Sequence, residues 1–224
     1  DLTLTSLVKT ILDQTSLHRL RLGSIEPQEL SDELVELVCQ SSRVCSHLHI
    51  PLQSGSDTVL KRMNRHYTGQ DFYRCLQDIY ERSPEISIGI DLIVGFPGET
   101  DEEHQQSVEL IDRLPIHYLH VFPYSKRPGT AAEKMKDHVD PAIAKDRATR
   151  LRQLGELKKQ EYIKNFDGKI VEVVVENRSE GGRCKGLSDE YVQVVFESDQ
   201  PLAGQCVKVL IVDVDGDGLT GKLI

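Results

Sequence analysis

The residues best suited to chemistry lie where four predicted strands end. In parallel α/β proteins ligands bind at the carboxyl ends of the strands. Glycines there let backbone amides approach a ligand, while Glu, Gln, Ser and Arg side chains pair with the polar groups of a nucleoside. One such loop alone would be explained as a chain turn with helix caps, but four together favour a ligand site. The candidates are Ser24, Glu26, Gln53, Ser54, Gly95, Phe96, Pro97, Gly98 and Glu99 on the first three loops, and residues 123–130 on the fourth.

His47 and His49 are a second candidate for chemistry. They lie two apart on one predicted strand and therefore share a face, as the zinc ligands of a barrel hydrolase do. The sequence offers no identifiable third ligand. Side-chain packing or contact with a substrate is the favoured interpretation, and no metal is expected.

Residues 213–218 match the opening of a calcium-binding EF-hand loop. The position that requires a bidentate Glu in such a loop is Ile224, however. A hairpin turn built from Asp-Gly is the better interpretation.

The five cysteines are odd in number and scattered along the chain: Cys39, Cys45, Cys75, Cys184 and Cys206. This spacing disfavours a disulfide framework and contains no C-x-x-C pair. Isolated buried or half-buried thiols are expected.

Hydrophobic periodicity places the polar loops between alternating helices and strands. Helices are predicted at residues 2–12, 27–39, 57–63, 70–82, 100–114 and 141–165, and strands at 17–23, 47–52, 86–94 and 116–122. Thr100 and Glu103 form a capping box at the start of the fifth helix. The near-continuous apolar run 86–94 suits a parallel strand buried on both faces. Short β-rich stretches follow at 169–176, 183–188, 191–197, 205–214 and 218–223.

The alternation implies βαβ units, which leaves an open doubly wound sheet or a barrel as the architecture. About four strands are too few for a complete eight-stranded barrel, which needs ~250 residues. We therefore predict the α/β class, with a partial (β/α) barrel over residues 1–160. The β-rich residues 161–224 predict a small all-β domain.

Composition limits the classes of function. A hydrophobic content of 38% with 28% charged residues is ordinary for a soluble globular protein. No run approaches the ~18 apolar residues of a membrane span, and residues 1–5 lack the zones of a signal peptide, so a cytoplasmic protein without a membrane partner is expected. The formal net charge of −9 disfavours a uniformly nucleic-acid-coating surface. Any contact with RNA must be local.

Four motifs carry a resemblance to a known family. They are the segments 47–57, 60–68, 91–100 and 122–132, which include His-Ile-Pro-Leu-Gln-Ser-Gly-Ser, Gly-Phe-Pro-Gly-Glu-Thr and Pro-Tyr-Ser-Lys-Arg-Pro-Gly-Thr. In this order and spacing they resemble the radical S-adenosylmethionine methylthiotransferases, and the similarity covers nearly the whole chain. Residues 53–55 and 125–130 resemble the branch that modifies N6-threonylcarbamoyladenosine beside the tRNA anticodon. The branches acting on isopentenyladenosine or on a ribosomal protein are less similar.

The resemblance implies that Ser24, Glu26, Gln53, Ser54 and the 95–99 loop line a pocket for S-adenosylmethionine. It also implies two [4Fe–4S] clusters, one held by a C-x-x-x-C-x-x-C loop and one by an amino-terminal domain, and neither ligand set occurs in this sequence. Without an open cluster iron no electron reaches the sulfonium. The chain is therefore expected to be a carboxy-terminal fragment, inactive by itself.

In the parent enzyme, the resemblance implies that one S-adenosylmethionine donates a methyl group to sulfur. A second yields a deoxyadenosyl radical that abstracts hydrogen from C2 of the modified adenine at position 37. Three alternatives stay open: a non-catalytic RNA-binding protein, a methylthiotransferase for another tRNA base or a ribosomal protein, and a metal-dependent barrel hydrolase using His47 and His49.

The β-rich tail resembles the TRAM domain, an OB-like module whose implied role is to hold RNA, here the tRNA anticodon stem-loop. The preceding residues 141–166 carry seven basic side chains against three acidic ones. Such helices are often merely solvated, but a basic strip beside a small barrel suits phosphate contact. Contacts with RNA or substrate are expected at Arg62, Arg65, Tyr124, Ser125, Arg127, Arg150 and Arg152.

The predicted strand 17–23 would form an exposed edge of the sheet. Unpaired strand edges invite pairing with another chain. A dimer of the fragment is therefore expected.

Overall fold

The computed structural model describes residues 3–178, 182–216 and 218–224. Its first part is a parallel sheet of three strands in the order β1-β2-β3. The strands are β1 His47–His49, β2 Ser87–Val94 and β3 Tyr118–Pro123. The helices are α1 Leu4–Gln14, α2 Asp32–Gln40, α3 Asp57–Arg62, α4 Gly69–Arg82, α5 Asp101–Arg113 and α6 Pro141–Ile163. The start of the first predicted helix, at residue 2, lies outside the described residues.

The central strand β2 divides the first part into two faces. On one face Ile88, Ile90, Leu92 and Val94 are fully buried in a core shared with the helices. Because successive side chains of a strand point to opposite faces, residues 89 and 91 lie on the other face. Their parallel neighbours put a polar and aromatic group there, which we call the histidine face: His47, His49, Gly89, Asp91, Tyr118 and His120.

The predicted capping box at α5 is confirmed. Thr100 Oγ1 accepts a hydrogen bond from the Glu103 amide at 3.2 Å, and Glu103 Oε2 accepts one from the Thr100 amide at 3.0 Å. These bonds satisfy backbone donors that no helical carbonyl can reach. Thr68 and Asp71 start α4 in the same way.

The predicted strand 17–23 is wrong. This segment makes only isolated parallel bridges, Leu20 with Val44 and Ser24 with His49. A physical reason lies in Arg43, whose guanidinium donates to the carbonyls of residues 12, 15 and 17. The carbonyl of residue 17, at the start of the predicted strand, is thereby bound to a side chain and does not join a ladder. The segment nevertheless runs along the edge of the sheet beside β1.

Two other predicted elements are shorter than expected. The predicted helix 27–39 is interrupted, with a 3-10 turn at Pro27–Glu29 and α2 starting only at Asp32. Ser31 causes the break, because its hydroxyl accepts from the Leu34 amide and caps α2. The predicted strand 47–52 pairs as a strand only over β1, and Gln53 forms a separate bridge with Leu92.

The second part is a closed barrel in the order β4-β5-β6-β8-β7, as predicted for a small all-β domain. Its strands are β4 Ile170–Arg178, β5 Arg183–Ser188, β6 Gln193–Glu197, β7 Cys206–Asp215 and β8 Gly218–Leu223. It has its own core, in which Val173, Val194 and Val209 are fully buried. The antiparallel pairing of β7 and β8 reaches Asp215 and Gly218, as expected of a hairpin. Asp217 of the predicted turn lies outside the described residues.

Helix α6 joins the two parts. Ala148 and Leu151 belong to the core of the sheet, whereas Tyr162 and Ile163 belong to the core of the barrel. A boundary after residue 160 falls inside this helix and stays a prediction. Across the described chain, no helix has the length and apolar character required to traverse a bilayer.

Candidate functional site

The loops after all three strands surround one cavity of about 260 Å³. It is lined by Gln53, Arg62, Met63, Asn64, Arg65, Ile93, Phe96, Ala131, Ala132 and Met135. Four of the predicted site residues, Gln53, Phe96, Arg62 and Arg65, are thus brought together at the carboxyl end of the sheet. The lining combines apolar side chains with two amides and two guanidinium groups. Such a mixture suits a polar nucleoside with a flat apolar base.

The backbone around this cavity adopts unusual conformations. Gln53 has φ of 68° and Asn64 has φ of 58°, in the left-handed region that side chains other than glycine rarely adopt. Gln53 is held there by two backbone bonds to β2, from its amide to Asp91 O and to its carbonyl from the Ile93 amide. Strained residues of this kind cluster at ligand sites.

Arg62 is held by the protein itself. Its two terminal nitrogens donate to the two carboxylate oxygens of Glu103 at 3.0 and 2.6 Å, and one also donates to Gly98 O at 3.2 Å. Burial alone raises the pKa of the Glu103 carboxyl, but hydrogen bonds from Arg62, Thr58 and the Thr100 amide outweigh it and hold that pKa at about 2. Arg62 therefore supports the 95–99 loop.

Arg65 and Glu26 form an ion pair at 2.6 Å. The pair links the loop after α3 to the segment that precedes α2. Glu26 does not line the cavity itself, but it contacts Arg65, which does. Ser24 is exposed and forms an isolated backbone β-bridge with His49. Ser54 is fully buried, and its hydroxyl accepts a hydrogen bond from the Ser56 amide. Neither serine lines the cavity.

Glu99 is buried behind the loop that it ends. Its carboxylate accepts from the Gly95 amide at 2.6 Å and from Arg147 at 2.7 Å. Burial raises its pKa, and the Gly95 amide and the Arg147 guanidinium oppose that rise. The second arm of Arg147 pairs with Asp101 at 2.6 Å. Through these contacts Glu99 supports the 95–99 loop. Within that loop Gly95 and Gly98 have positive φ, and Pro97 is buried.

The remaining predicted contacts lie on the outer side of the site. Tyr124 packs edge-on against Phe96, with ring centroids 5.4 Å apart. Ser125 and Arg127 are exposed on the following loop. On α6, Arg150 is 70% exposed, whereas Arg152 donates to Val121 O at 2.8 Å. The basic strip is thus narrower than the sequence indicates, because Arg147 is buried and Lys158 donates to the carbonyls of residues 112 and 114.

The histidine face contains a group that sequence reasoning missed. His49 Nε2 lies 3.0 Å from Asp91 Oδ1, and His120 Nδ1 lies 3.3 Å from the same oxygen. His47 does not belong to this group of potential metal ligands, which consists of His49, Asp91 and His120. Alternation along β2 and β3 shows which residues share a face, but only the register between strands brings Asp91 and His120 beside His49.

The cysteines are unsuited to hold an iron–sulfur cluster. All five are free thiols within the described residues, and each of the metal-type clusters found there contains at most one of them. Burial raises the pKa of Cys45 and of Cys75 to about 11, and it also raises that of Cys39 and Cys206. Cluster ligands are thiolates, which burial disfavours.

Residues 7–111 match the family described as the Radical SAM superfamily. Threonylcarbamoyladenosine tRNA methylthiotransferase MtaB of Bacillus subtilis is 40% identical over 197 residues, covering 86% of this chain and 44% of that protein. The tRNA-2-methylthio-N(6)-dimethylallyladenosine synthase of Thermoanaerobacter pseudethanolicus is 35% identical over 226 residues, covering 100% of this chain and 48% of that protein.

Among solved structures, coproporphyrinogen III oxidase HemN of Escherichia coli, described as a radical SAM enzyme, has a TM-score of 0.51 at 17% identity. The match covers 96% of this chain and 54% of that one. It concerns the fold alone. The chain spans about half the length of the curated relatives that it matches.

Proposed function

We propose that this chain, whose residues 7–111 carry a Radical SAM superfamily domain, is part of a tRNA methylthiotransferase. The observation that carries the proposal is the cavity at the carboxyl ends of the three strands, most of whose lining residues lie within the matched residues 7–111. The names of the two relatives described above support tRNA as the substrate.

This cavity fits S-adenosylmethionine as one wall of a larger pocket. Ligand pockets are usually above about 300 Å³, so a cavity of about 260 Å³ accounts for part of such a ligand. Ile93 and Phe96 would contact an adenine ring, and Gln53 would pair with a polar group of the ribose or the methionine. Bound S-adenosylmethionine supplies the radical and methyl chemistry of this family. The residues of this chain bind and orient it.

The iron–sulfur clusters do not fit the residues of this chain. Within the described residues the thiols are dispersed, and burial raises the pKa of Cys45 and Cys75 to about 11. The cluster ligands of the parent protein must come from other residues. We therefore infer that the chain by itself binds cofactor and RNA without turnover.

The RNA-binding role is proposed for the closed barrel and the exposed part of the basic strip on α6. Arg150 and Lys145 are exposed there, and Ser125 and Arg127 lie exposed on the loop after β3. Positive side chains of this kind bind phosphates without reading bases. The tRNA anticodon stem-loop is the proposed partner.

The proposed base is N6-threonylcarbamoyladenosine at position 37, converted to its 2-methylthio derivative. The identity of 40% with the Bacillus subtilis threonylcarbamoyladenosine enzyme, against 35% with the dimethylallyladenosine synthase, supports this choice. A methylthiotransferase for the dimethylallyl base is the second candidate.

The activity is tested with the parent protein expressed in a bacterial strain that lacks tRNA methylthiotransferases. Nucleoside mass spectrometry of its tRNA should reveal the 2-methylthio derivative of threonylcarbamoyladenosine. Appearance of the dimethylallyl derivative alone would reassign the base. If the parent, with its clusters reconstituted, modifies neither base but retains tRNA, the chain belongs to a non-catalytic RNA-binding protein.

The role of this cavity in cofactor binding is tested on the isolated chain by calorimetric titration with S-adenosylhomocysteine. Gln53→Asn shortens the amide side chain at a left-handed position that Asn tolerates. Loss of one hydrogen bond should weaken binding about 2- to 10-fold. The matched control is Gln105→Asn on the exposed face of α5, which should bind as the unaltered chain does. Equal affinities for all three proteins would show that the Gln53 side chain does not contact the ligand.

The edge beside β1 remains a proposed pairing surface. The segment 17–25 bonds to the 43–49 segment on one side through Leu20, Cys45 and Ile25. We propose that another chain or segment pairs with its other side. Sedimentation of the chain at high concentration should reveal a dimer, and a strictly monomeric profile would contradict this.

A further inference from the structure

We propose that His49, Asp91 and His120 form a binding site for a divalent transition-metal ion of the zinc class on the histidine face. The site is separate from the cavity proposed for S-adenosylmethionine, and its argument does not depend on that cofactor. None of its three residues lines that cavity.

The ligand atoms have the spacing that such an ion requires. One atom from each residue lies within 4.8 Å of the other two. Asp91 Oδ1 is 3.0 Å from His49 Nε2 and 3.3 Å from His120 Nδ1. Tetrahedral zinc with bonds of about 2.0–2.1 Å separates its ligand atoms by roughly 3.3 Å. An ion can therefore bind with small adjustments of three side chains.

The fold presents these ligands on rigid elements. Each residue comes from a different strand of the sheet, and Asp91 is the direct parallel neighbour of His120. His49 pairs with Gly89, so it lies on the same face one step before Asp91. Sites built on strands hold their geometry better than sites on loops.

A second group of contacts orients His49. The Tyr118 hydroxyl lies 3.0 Å from His49 Nδ1 and 2.7 Å from His47 Nε2. This leaves Nε2 of His49 directed to Asp91. A histidine that binds a metal through one nitrogen and is hydrogen-bonded through the other is the usual arrangement. Gly89 makes room for Tyr118, since a Cβ there would lie 1.8 Å from its Cζ.

The donor set selects the class of ion. Two imidazole nitrogens and one carboxylate oxygen suit zinc and similar transition metals, whereas magnesium and calcium prefer oxygen ligands. His49 is largely buried, while 51% of the His120 side chain is exposed. The ion would thus be reached from the His120 side, where water or a ligand donor atom completes its coordination.

A second group of metal-type ligands is a built-in comparison. His18, Glu172 and Cys206 also lie close together. However, Arg19 pairs with the Glu172 carboxylate at 3.0 Å. A bound cation would have to compete with that guanidinium, so this group carries no proposal.

The test uses the purified chain after removal of metal by a chelator. Titration calorimetry with Zn²⁺ should give one binding event, and Co²⁺ should develop visible absorption at the same stoichiometry. His120→Ala and Asp91→Asn should each weaken Zn²⁺ binding at least about tenfold, and Tyr118→Phe should weaken it by a similar factor through His49. His18→Ala should bind as the unaltered chain does. Mg²⁺ should give no comparable binding.

Circular dichroism of each variant identifies any loss of fold, and His120→Ala is the least disruptive because this side chain is half exposed. The proposal is overturned if the unaltered chain binds no Zn²⁺, since the three residues then form only a hydrogen-bonded group. It is equally overturned if a folded His120→Ala protein binds Zn²⁺ normally, or if His18→Ala abolishes binding.

Discussion

At the residue scale, charged side chains near the cavity mainly hold the loops in place. Arg62 binds both oxygens of Glu103, and Arg147 binds Glu99 and Asp101. Buried ions need such partners, because an unpaired charge in the interior costs several kcal/mol. The 95–99 loop therefore owes its shape to two arginines that lie outside it.

Replacing Arg147 should destabilise the chain strongly. Its side chain is 7% exposed and that of Glu99 is 1% exposed, so Arg147→Ala leaves a buried carboxylate without its cation. A loss of about 3–5 kcal/mol in the free energy of unfolding is expected. Arg150→Ala, three residues along the same helix and 70% exposed, is the matched control. Urea denaturation checks both, and equal midpoints would contradict the prediction.

His104 should make stability depend on pH. It is buried in α5, and neither ring nitrogen has a hydrogen-bond partner among the described residues. Burial, with Arg147 and Arg150 nearby, lowers its pKa to about 4. Below the ordinary pKa of about 6.5 the unfolded chain binds a proton that the folded chain refuses. Stability is therefore lost as the pH falls from that value toward the folded pKa.

The variant His104→Leu removes this contribution. Between pH 7 and pH 5 it should lose less stability than the unaltered chain, by about 1–2 kcal/mol. The exposed His66, changed to Leu, is the control and should retain the original pH profile. Denaturation curves at the two pH values decide, and parallel profiles for all three proteins would refute the assignment to His104.

At the element scale, close approach between helices and loops depends on glycine. The loop after β1 contacts α5 at Gly55, whose amide donates to Ser107 Oγ at 3.0 Å. A Cβ at Gly55 would lie 2.5 Å from Ser107 Cα, which is backbone and cannot rotate away. This contact fixes the chain that carries Gln53 and Ser54.

Gly55→Ala should therefore destabilise the chain by about 1–3 kcal/mol through overpacking. Gly23→Ala is the matched control, since a Cβ there meets nothing within 4 Å. Thermal unfolding followed by circular dichroism measures both. A Gly55→Ala protein as stable as the control would show that α5 can shift without a loss of stability.

The exposed part of α6 should bind RNA through phosphates. Arg150→Glu reverses a charge that lies on the surface, and it should weaken tRNA binding and reduce the slope of log affinity against log salt by about 1–2. Arg74→Glu, exposed on α4, is the control. Filter binding across a salt series is the measurement. Unchanged affinity and slope for Arg150→Glu would remove the strip from the RNA interface.

At the scale of the whole molecule, polar contacts join the sheet to the barrel. Arg19 pairs with Glu172 at 3.0 Å and with Asp189 at 2.9 Å, and its side chain is 11% exposed. Arg21 donates to the carbonyls of Ser188 and Asp189. Tyr191 of the barrel packs against His47 with ring centroids 4.8 Å apart. The barrel therefore contacts the start of β1, at the opposite end of the sheet from the cavity proposed for S-adenosylmethionine.

Arg19→Ala should weaken the coupling between the two parts, while Arg21 and Tyr191 still join them. Because each part has its own core, weaker coupling should separate unfolding toward two transitions in differential scanning calorimetry. Arg82→Ala removes an ion-paired arginine within the first part alone and is the control. A single transition for Arg19→Ala, shifted no more than the control, would contradict this coupling.

Local patterns in the sequence predicted the type of most elements. Hydrophobic and capping signals, such as the near-continuous apolar run of β2 and the capping box at Thr100, act over a few residues and can be recognised locally. The glycine-rich loops between them carried the resemblance. The small all-β domain was also predicted from short strands with regular turns, whereas its closure into a barrel was seen only in the structure.

Packing between segments that are distant in the sequence decides which side chains meet. His49, Asp91 and His120 come together through strand register, and Arg147 reaches Glu99 across 48 residues of chain. Arg43 likewise binds the carbonyl of residue 17, at the start of a predicted strand, from 26 residues further along the chain. These outcomes depend on packing between distant segments, whose energies no local pattern encodes.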